Sequence, residues 1–373
     1  MSVNNFLIYD GAMGTVLYSK GLMSECNELL NLTNPDIIES IHREYIDAGS
    51  EYIKTNTFGA NLLKLNKSGN GDLCREINRA AVEIARSAGA KVCGDIGPSG
   101  EIYAPYGNAT CDEIYNSYLI QAQALKGSDM ILIETMSSLV EAKLAYLAVR
   151  KALDDIPVII SFTYSGNYTL MGSTPELIAK AFDSTDIYAI GTNCSGGPGE
   201  LLSVVKAYRE LSGKRISAMP NAGLPSLVDG KECYPFSPDA FALSMKEILH
   251  SGASIIGGCC GTTPAHIKAL FNIDYDGINV DKSASLNKRY IANERYFSDI
   301  AGAVTVNPAD DEIIAVEEKG LAARIDVSGI KDLKGYLDNL SFLSPYPKCF
   351  FAKPEQFETI EINYQALTDI IAN

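Results

Sequence analysis

Three cysteines stand at the ends of two glycine-rich segments: Cys194 in Gly-Thr-Asn-Cys-Ser-Gly-Gly-Pro, and Cys259 with Cys260 in Gly-Gly-Cys-Cys-Gly-Thr-Thr-Pro. Three thiolates are one ligand short of the four that zinc prefers, and a zinc site with an open position is a catalytic one. Soft sulfur donors select zinc or copper(I) over magnesium or calcium. Neighbouring side chains of a regular strand point to opposite faces, so Cys259 and Cys260 need the freedom of flanking glycines to converge on one ion. Two other readings stay open on the residues alone. A free cysteine is often a small buried hydrophobe, and that is the expectation for Cys26, Cys74, Cys93, Cys111, Cys233 and Cys349. Adjacent cysteines also form a disulfide, but only with strain. Packing gives no reason for a Cys-Cys pair between glycines, which favours the metal.

The elements that must position these residues recur along the chain as a short apolar strand, a polar loop and a helix. Strands are expected at Phe6–Tyr9, Tyr52–Thr55, Lys91–Gly94, Met130–Ile133, Val158–Phe162, Tyr188–Thr192, Ile216–Met219 and Ser254–Gly257. Most are continuous apolar runs, as parallel strands buried on both faces require. Helices are expected between them, for example after Asn34, where Ile37, Ile38, Ile41, Tyr45 and Ile46 recur at helical spacing. Pro175–Phe182, Glu200–Leu211 and Pro238–His250 read the same way. Strands alternating with helices imply a parallel sheet, and eight such units imply a closed (β/α)8 TIM barrel of about 250 residues.

The polar residues fall where such a barrel places its chemistry, just after each strand. Asp10-Gly11-Ala12-Met13-Gly14-Thr15 opens the series, and Asn56-Thr57-Phe58-Gly59, Asp95-Ile96-Gly97-Pro98 and Glu134-Thr135 follow. Thr163-Tyr164-Ser165, Asn193-Cys194-Ser195, Asn221-Ala222-Gly223 and Cys259-Cys260-Gly261 complete it. The cysteines would then come from strands six and eight, which belong to the same alternating set in the barrel wall. A doubly wound sheet would more often carry phosphate-binding glycines after strand one, and Asp-Gly-Ala-Met-Gly-Thr lacks that spacing. Glu134 ends the run Met-Ile-Leu-Ile, so its carboxylate is expected to need a partner. His42, His250 and His266 fall in expected helices, away from strand ends.

Composition narrows the rest. The net charge of -15 argues against nucleic acid or an anionic membrane surface as partner. No run of about 18 apolar residues marks a membrane span, and the N-terminus lacks the pattern of a signal peptide. Nine cysteines without a secretion signal point to reduced thiols and a cytoplasmic location. The barrel is expected over residues 1–275, a polar linker over 276–288, and a small C-terminal α+β extension over 289–373. In that extension Glu312–Val316 and Ala323–Val327 read as strands, and Ile330–Leu340 and Tyr364–Ile371 as helices.

The barrel residues resemble the zinc-dependent homocysteine S-methyltransferase family. Within it they look most like the N-terminal homocysteine-binding module of cobalamin-dependent methionine synthase. The likeness rests on the Asp10–Thr15 opening, the run from Cys26 to Pro35, and Thr55-Asn56-Thr57-Phe58-Gly59-Ala60-Asn61. Glu134-Thr135, Asn193-Cys194, Pro220-Asn221-Ala222-Gly223 and Gly257–Pro264 extend it. The resemblance implies zinc held by Cys194, Cys259 and Cys260, with the homocysteine thiol in the fourth position. It implies that Glu134, helped by Asp10, receives the substrate ammonium, and that the backbone of Gly11, Ala12 and Met13 holds the carboxylate. Asn221 occupies the position whose side chain fills the fourth site when substrate is absent.

The implied activity is methyl transfer to homocysteine, giving methionine. The implied donor is methylcobalamin, free or on a separate corrinoid protein, because the residues after the barrel are too few for a second one. S-Methylmethionine or betaine is the alternative donor. A non-catalytic zinc-thiolate binding module is the alternative outside enzymes.

Overall fold

The computed structural model describes residues 6–278, apart from 23, 104–105, 184 and 229–230; beyond them it describes only the backbone of six short strands. The described strands of the first region build an eight-stranded, all-parallel sheet. In chain order they are β1 (Leu7–Ile8), β2 (Tyr52–Lys54), β3 (Lys91–Ile96), β4 (Met130–Met136), β5 (Val158–Phe162), β6 (Ala189–Asn193), β7 (Arg215–Met219) and β8 (Ile255–Ile256). Each strand pairs with its neighbour in sequence from β2 to β8, and β8 pairs with β1. Closure between β1 and β2 rests on a parallel bridge, Tyr9 to Tyr52, flanked by hydrogen bonds from Glu51 N to Ile8 O (2.8 Å) and Asp10 N to Tyr52 O (3.2 Å). The expected (β/α)8 barrel is the observed fold.

One long helix follows each strand: α1 (Pro35–Asp47), α2 (Cys74–Ala88), α3 (Cys111–Ala124), α4 (Leu139–Ala152), α5 (Pro175–Asp183), α6 (Pro198–Leu211), α7 (Pro238–His250) and α8 (Pro264–Phe271). Their starts are written in the sequence. Pro opens α1, α6, α7 and α8 within the first two positions, where its missing N–H costs nothing. Thr110 and Glu113 form a reciprocal capping box on α3. None of the described helices is long and apolar enough to cross a membrane.

The two-residue period of the strands sorts side chains into two cores. Outward-facing Ile53, Val92, Ile131, Ile133, Ile160, Ile190, Ile216 and Ile256 pack under the helices. Inward-facing Tyr9, Tyr52, Cys93, Met130, Leu132, Ile159, Ala189, Met219 and Ile255 plug the barrel. Tyr9 stacks on Tyr52 with ring centroids 5.1 Å apart and donates its hydroxyl to Met130 Sδ. Each such buried side chain contributes about 1.5–3 kcal/mol through lost apolar exposure. Two residues further along the same inward rows come Lys54, Asp95, Glu134 and Ser161, and Asn193 lies four residues beyond Ala189. The apolar plug is therefore the floor of a polar mouth.

Beyond residue 289, Val304–Val306, Ala323–Asp326, Cys349–Ala352 and Asp369–Ala372 form a four-stranded parallel sheet in that order. The strand expected near Ala323 is present. A helix was expected over Tyr364–Ile371, but Asp369–Ala372 is a strand: its paired isoleucines suit a pleated surface and align with Cys349–Ala352. The other expected elements of this region, Glu312–Val316 and Ile330–Leu340, lie outside the described residues.

Candidate active site

The sulfur cluster forms where three backbone turns interlock. Cys194 follows the last residue of β6 at φ 54, a left-handed conformation costly for any side chain. Its N–H bonds Met219 O at the end of β7 (3.3 Å). Cys259 N donates to Pro220 O (2.8 Å), and Ala222 N donates to Cys260 O (2.9 Å). The loop after β7 is thus laced to the cysteine pair, while Asn221 N, bonded to Gly196 O (2.8 Å), laces it to the loop of Cys194.

The three Sγ atoms lie within 4.8 Å of one another, and Cys194 Sγ is 3.7 Å from Cys260 Sγ. The flanking glycines are needed on steric grounds. A Cβ on Gly258 would collide with the Thr262 side chain, and Gly261 combines φ +77 with a Tyr234 ring where its Cβ would stand. Hydrogen bonds from Cys194 and then Cys259 hold the Cys260 thiol down to about 3. The same contacts, with Cys259 first, push the Cys194 thiol up, so the sulfurs share their protons within the cluster. Three converging soft donors, half-exposed at the mouth, suit a soft metal ion with room for a further ligand.

Opposite this cluster lies a buried group of charges on β1 to β4. Asp10, Lys54, Asp95 and Glu134 are all 8% exposed or less. Lys54 Nζ sits 3.8 Å from Glu134 Oε2 and 3.9 Å from Asp10 Oδ1, and Lys54 N donates to Asp10 Oδ2 (2.9 Å). Burial pushes the Asp10 and Glu134 carboxyls up to about 7, opposed mainly by the Lys54 ammonium. Burial and then the Glu134 charge push Asp95 well above the usual carboxylate range. Burial pulls Lys54 down, but Glu134 and Asp10 overcome it and keep the ammonium charged.

Glu134 is aimed by a break in the sheet. The β4–β5 register shifts between Ile133 and Met136, and Thr135 takes φ 60. Such a bulge redirects the side chain beside it. Asn193 locks the arrangement: Thr135 N (3.0 Å) and Ser161 Oγ (2.7 Å) donate to its Oδ1, while its Nδ2 donates to Thr135 Oγ1 (2.8 Å) and Glu134 Oε2 (3.3 Å). Asn193 directly precedes Cys194, so one residue ties the acid group to the sulfur group.

The structure brings the expected site residues to one mouth. Asp10, Glu134 and Asn221 are buried there, and Asn221 Oδ1 accepts no hydrogen bond. The opening loop differs in one detail. Ala12 N is already engaged by Thr262 Oγ1 (3.1 Å), whereas Gly11 and Met13 have no such partner among the described residues. Lys54 was not singled out from sequence, and Asp95 only as the start of a post-strand segment, with no role assigned. Their signal was parity: each sits two residues beyond an inward apolar residue, so each had to enter the barrel. His266 bonds Phe236 O (3.0 Å) and Thr263 Oγ1 (2.9 Å), bracing the β7 and β8 loops, and His42 is buried in α1. Of the remaining cysteines, Cys26, Cys74, Cys93 and Cys111 are buried as expected. Cys233 is exposed, because it lies on the two-stranded hairpin of the β7 loop rather than in the barrel wall. The side chain of Cys349 lies outside the described residues.

Comparison with known proteins agrees with this geometry. The family model described as homocysteine S-methyltransferase matches residues 7–273. Methionine synthase of Mycobacterium tuberculosis is 34% identical over 314 residues, covering 77% of this chain and 26% of that protein. Methionine synthase of Mycobacterium leprae is 34% identical over 288 residues, covering 71% of this chain and 24% of that protein. The chain thus spans about a quarter of the length of these relatives. Among solved structures, the homocysteine methyltransferase MmuM from Escherichia coli superposes with a TM-score of 0.60 in both its oxidised and metallated forms. These are 23% and 22% identical, and each covers 72% of this chain and 96% of that one. At that identity the likeness establishes the shared barrel.

Proposed function

The chain belongs to the homocysteine S-methyltransferase family, and from that premise we propose that it transfers a methyl group to the thiol sulfur of homocysteine, giving methionine. The observation that carries this is the sulfur cluster, its Sγ atoms within 4.8 Å of one another, facing a buried pair of carboxylates across one barrel mouth. Soft sulfurs on one side and buried carboxylates on the other suit an amino acid that carries a thiol.

Cys194, Cys259 and Cys260 would hold zinc, and the donor set fits it: three sulfurs with no fourth protein ligand among the described His, Cys, Asp and Glu residues. When bound, zinc strips the proton from a coordinated thiol and keeps the sulfur nucleophilic at neutral pH. The chain's own residues orient the substrate. Glu134, fixed by Asn193, and Asp10 accept its ammonium. The N–H groups of Gly11 and Met13 are free to donate to its carboxylate, and Ala12 shapes that turn through Thr262 and Tyr45, which donates to Ala12 O at 2.8 Å. Asn221, whose buried Oδ1 has no hydrogen-bond partner, would fill the fourth position in the absence of substrate.

The donor we assign is a methylated corrinoid, free or on a separate protein. Large apolar side chains exposed on the loops of the mouth support a bulky donor: Ile102 and Tyr106 after β3, Tyr168 and Leu170 after β5, Leu224 and Leu227 after β7. We keep residues 1–275 as the catalytic barrel, 276–288 as linker and 289–373 as an extension.

The test is anaerobic absorbance of methylcobalamin mixed with zinc-loaded protein and homocysteine. Appearance of cob(I)alamin together with methionine is the expected result. Methionine formed only from S-methylmethionine or betaine would overturn the donor. Zinc-loaded protein that forms no methionine with any donor, corrinoid protein included, would overturn the activity in favour of a binding module.

A further inference from the structure

The substrate reading uses two of the four charged side chains that share the inner layer of the mouth, leaving Lys54 and Asp95 without a role. Lys54 is 8% exposed, yet its ammonium stands 3.8 Å from one acid and 3.9 Å from another. Its hydrogen bond within range goes to Gly258 O, at 3.5 Å. A buried ammonium is costly unless well paired, and here it is held short of tight pairing on every side. Meanwhile Asp10 Oδ1 and Asp95 Oδ1 accept no hydrogen bond. The pocket therefore has capacity for a second cation.

The charge balance points the same way. Asp95 lies close enough to Glu134 for burial and then the Glu134 charge to push it well above the usual carboxylate range, so it adds little negative charge to the pocket. Asp10 and Glu134 then carry two negative charges against the single positive charge of Lys54. One ammonium completes the balance.

We propose that Lys54 is a positioning residue: the resident cation that keeps Asp10 and Glu134 ionised together, so that the pair can capture the ammonium of the substrate. This rests on homocysteine being the substrate. Among the described residues, the other titratable groups facing the pocket are Tyr45 from α1, Cys93 and Asp95 from β3, and Cys259 and Cys260 from the β8 loop. None of them supplies a positive charge. Without Lys54, two buried carboxylates would share the mouth with no cation, and one would take up a proton. An incoming ammonium would then have to displace that proton.

The test is the dissociation constant of homocysteine for zinc-loaded wild-type and Lys54→Met protein from about pH 6 to about pH 9, with zinc content measured in each. The variant should bind about tenfold more weakly at the acid end, where one extra proton must leave. The gap should close as pH rises and that proton dissociates. Lys54→Arg should restore the wild-type profile. Lys54→Gln gives the same readout where Lys54→Met fails to fold. A ratio between variant and wild type that stays constant across pH would mean a packing role and would overturn the proposal, as would an unchanged affinity. Zinc-loaded wild-type protein that binds no homocysteine at all would overturn the substrate reading and this proposal together.

Discussion

The two halves of the mouth are built by different means. The sulfur half stands on loops after β6 and β8, is half-exposed, and depends on glycines and backbone hydrogen bonds to bring three thiols together. The acid half stands on β1 to β4, is buried, and depends on strand parity and one lysine to hold its carboxylates charged. On the proposed function the first would gain its chemistry from an ion that comes from outside, whereas the second carries its counter-ion within the chain. They should therefore fail separately: metal loss from one side, proton uptake on the other.

The strongest way to break this division is at the sulfurs. Cys259→Ser or Cys194→Ser should lose zinc and methyl transfer together, by more than the ~10–100-fold that loss of a mere outer-shell partner costs. Full zinc occupancy in either variant, measured by elemental analysis, would remove that residue from the site. The next largest effect belongs to the acid side alone. Glu134→Ala should keep its zinc but bind homocysteine more weakly by about 2 kcal/mol, the scale of a lost charge-assisted hydrogen bond. An unchanged dissociation constant in calorimetry would take Glu134 out of the substrate pocket.

Asn193 sharpens the comparison because it touches both halves. Asn193→Ala should loosen Glu134 and Thr135 at a cost of about 1 kcal/mol in homocysteine affinity, with zinc bound less tightly because Cys194 loses its anchored neighbour. If metal and substrate affinities both stay at wild-type values, the two halves are not coupled through this residue. The smallest effect is in pH. Asp10 and Glu134 are pushed up to about 7, and only their charged forms attract an ammonium. Homocysteine affinity should thus fall severalfold as pH drops from about 7 to about 6. A thiol of similar length without an amino group should lack this added loss, and an identical profile for both compounds would contradict the assignment.

Much of this was legible along the chain. The alternation of apolar runs with amphipathic helices specified eight β/α units, and all eight expected strands overlap the observed ones because buried parallel strands leave continuous apolar runs. Tyr188 fell just outside β6, a boundary that depends on where pairing with β5 begins. The Gly-Gly-Cys-Cys-Gly punctuation marked the sharp turn that brings Cys259 and Cys260 to the sulfur cluster. Asp369–Ala372 was missed as a strand because a short apolar run has no period long enough to separate helix from strand, and pairing decides it.

By itself, then, the sequence determined what is local: the parity that sends Lys54, Asp95, Glu134 and Asn193 inward, the glycines that let Cys259 and Cys260 turn, and the prolines and caps that start the helices. Only the closed barrel decided which of these meet. Asp10 and Lys54 are 44 residues apart in the chain, and Lys54 reaches the carbonyl of a residue 204 positions away. Electrostatic partnership depends on distance in space and on exclusion of water. Both are set when β1 closes against β2 and the apolar floor seals beneath them, and no spacing along the chain encodes either.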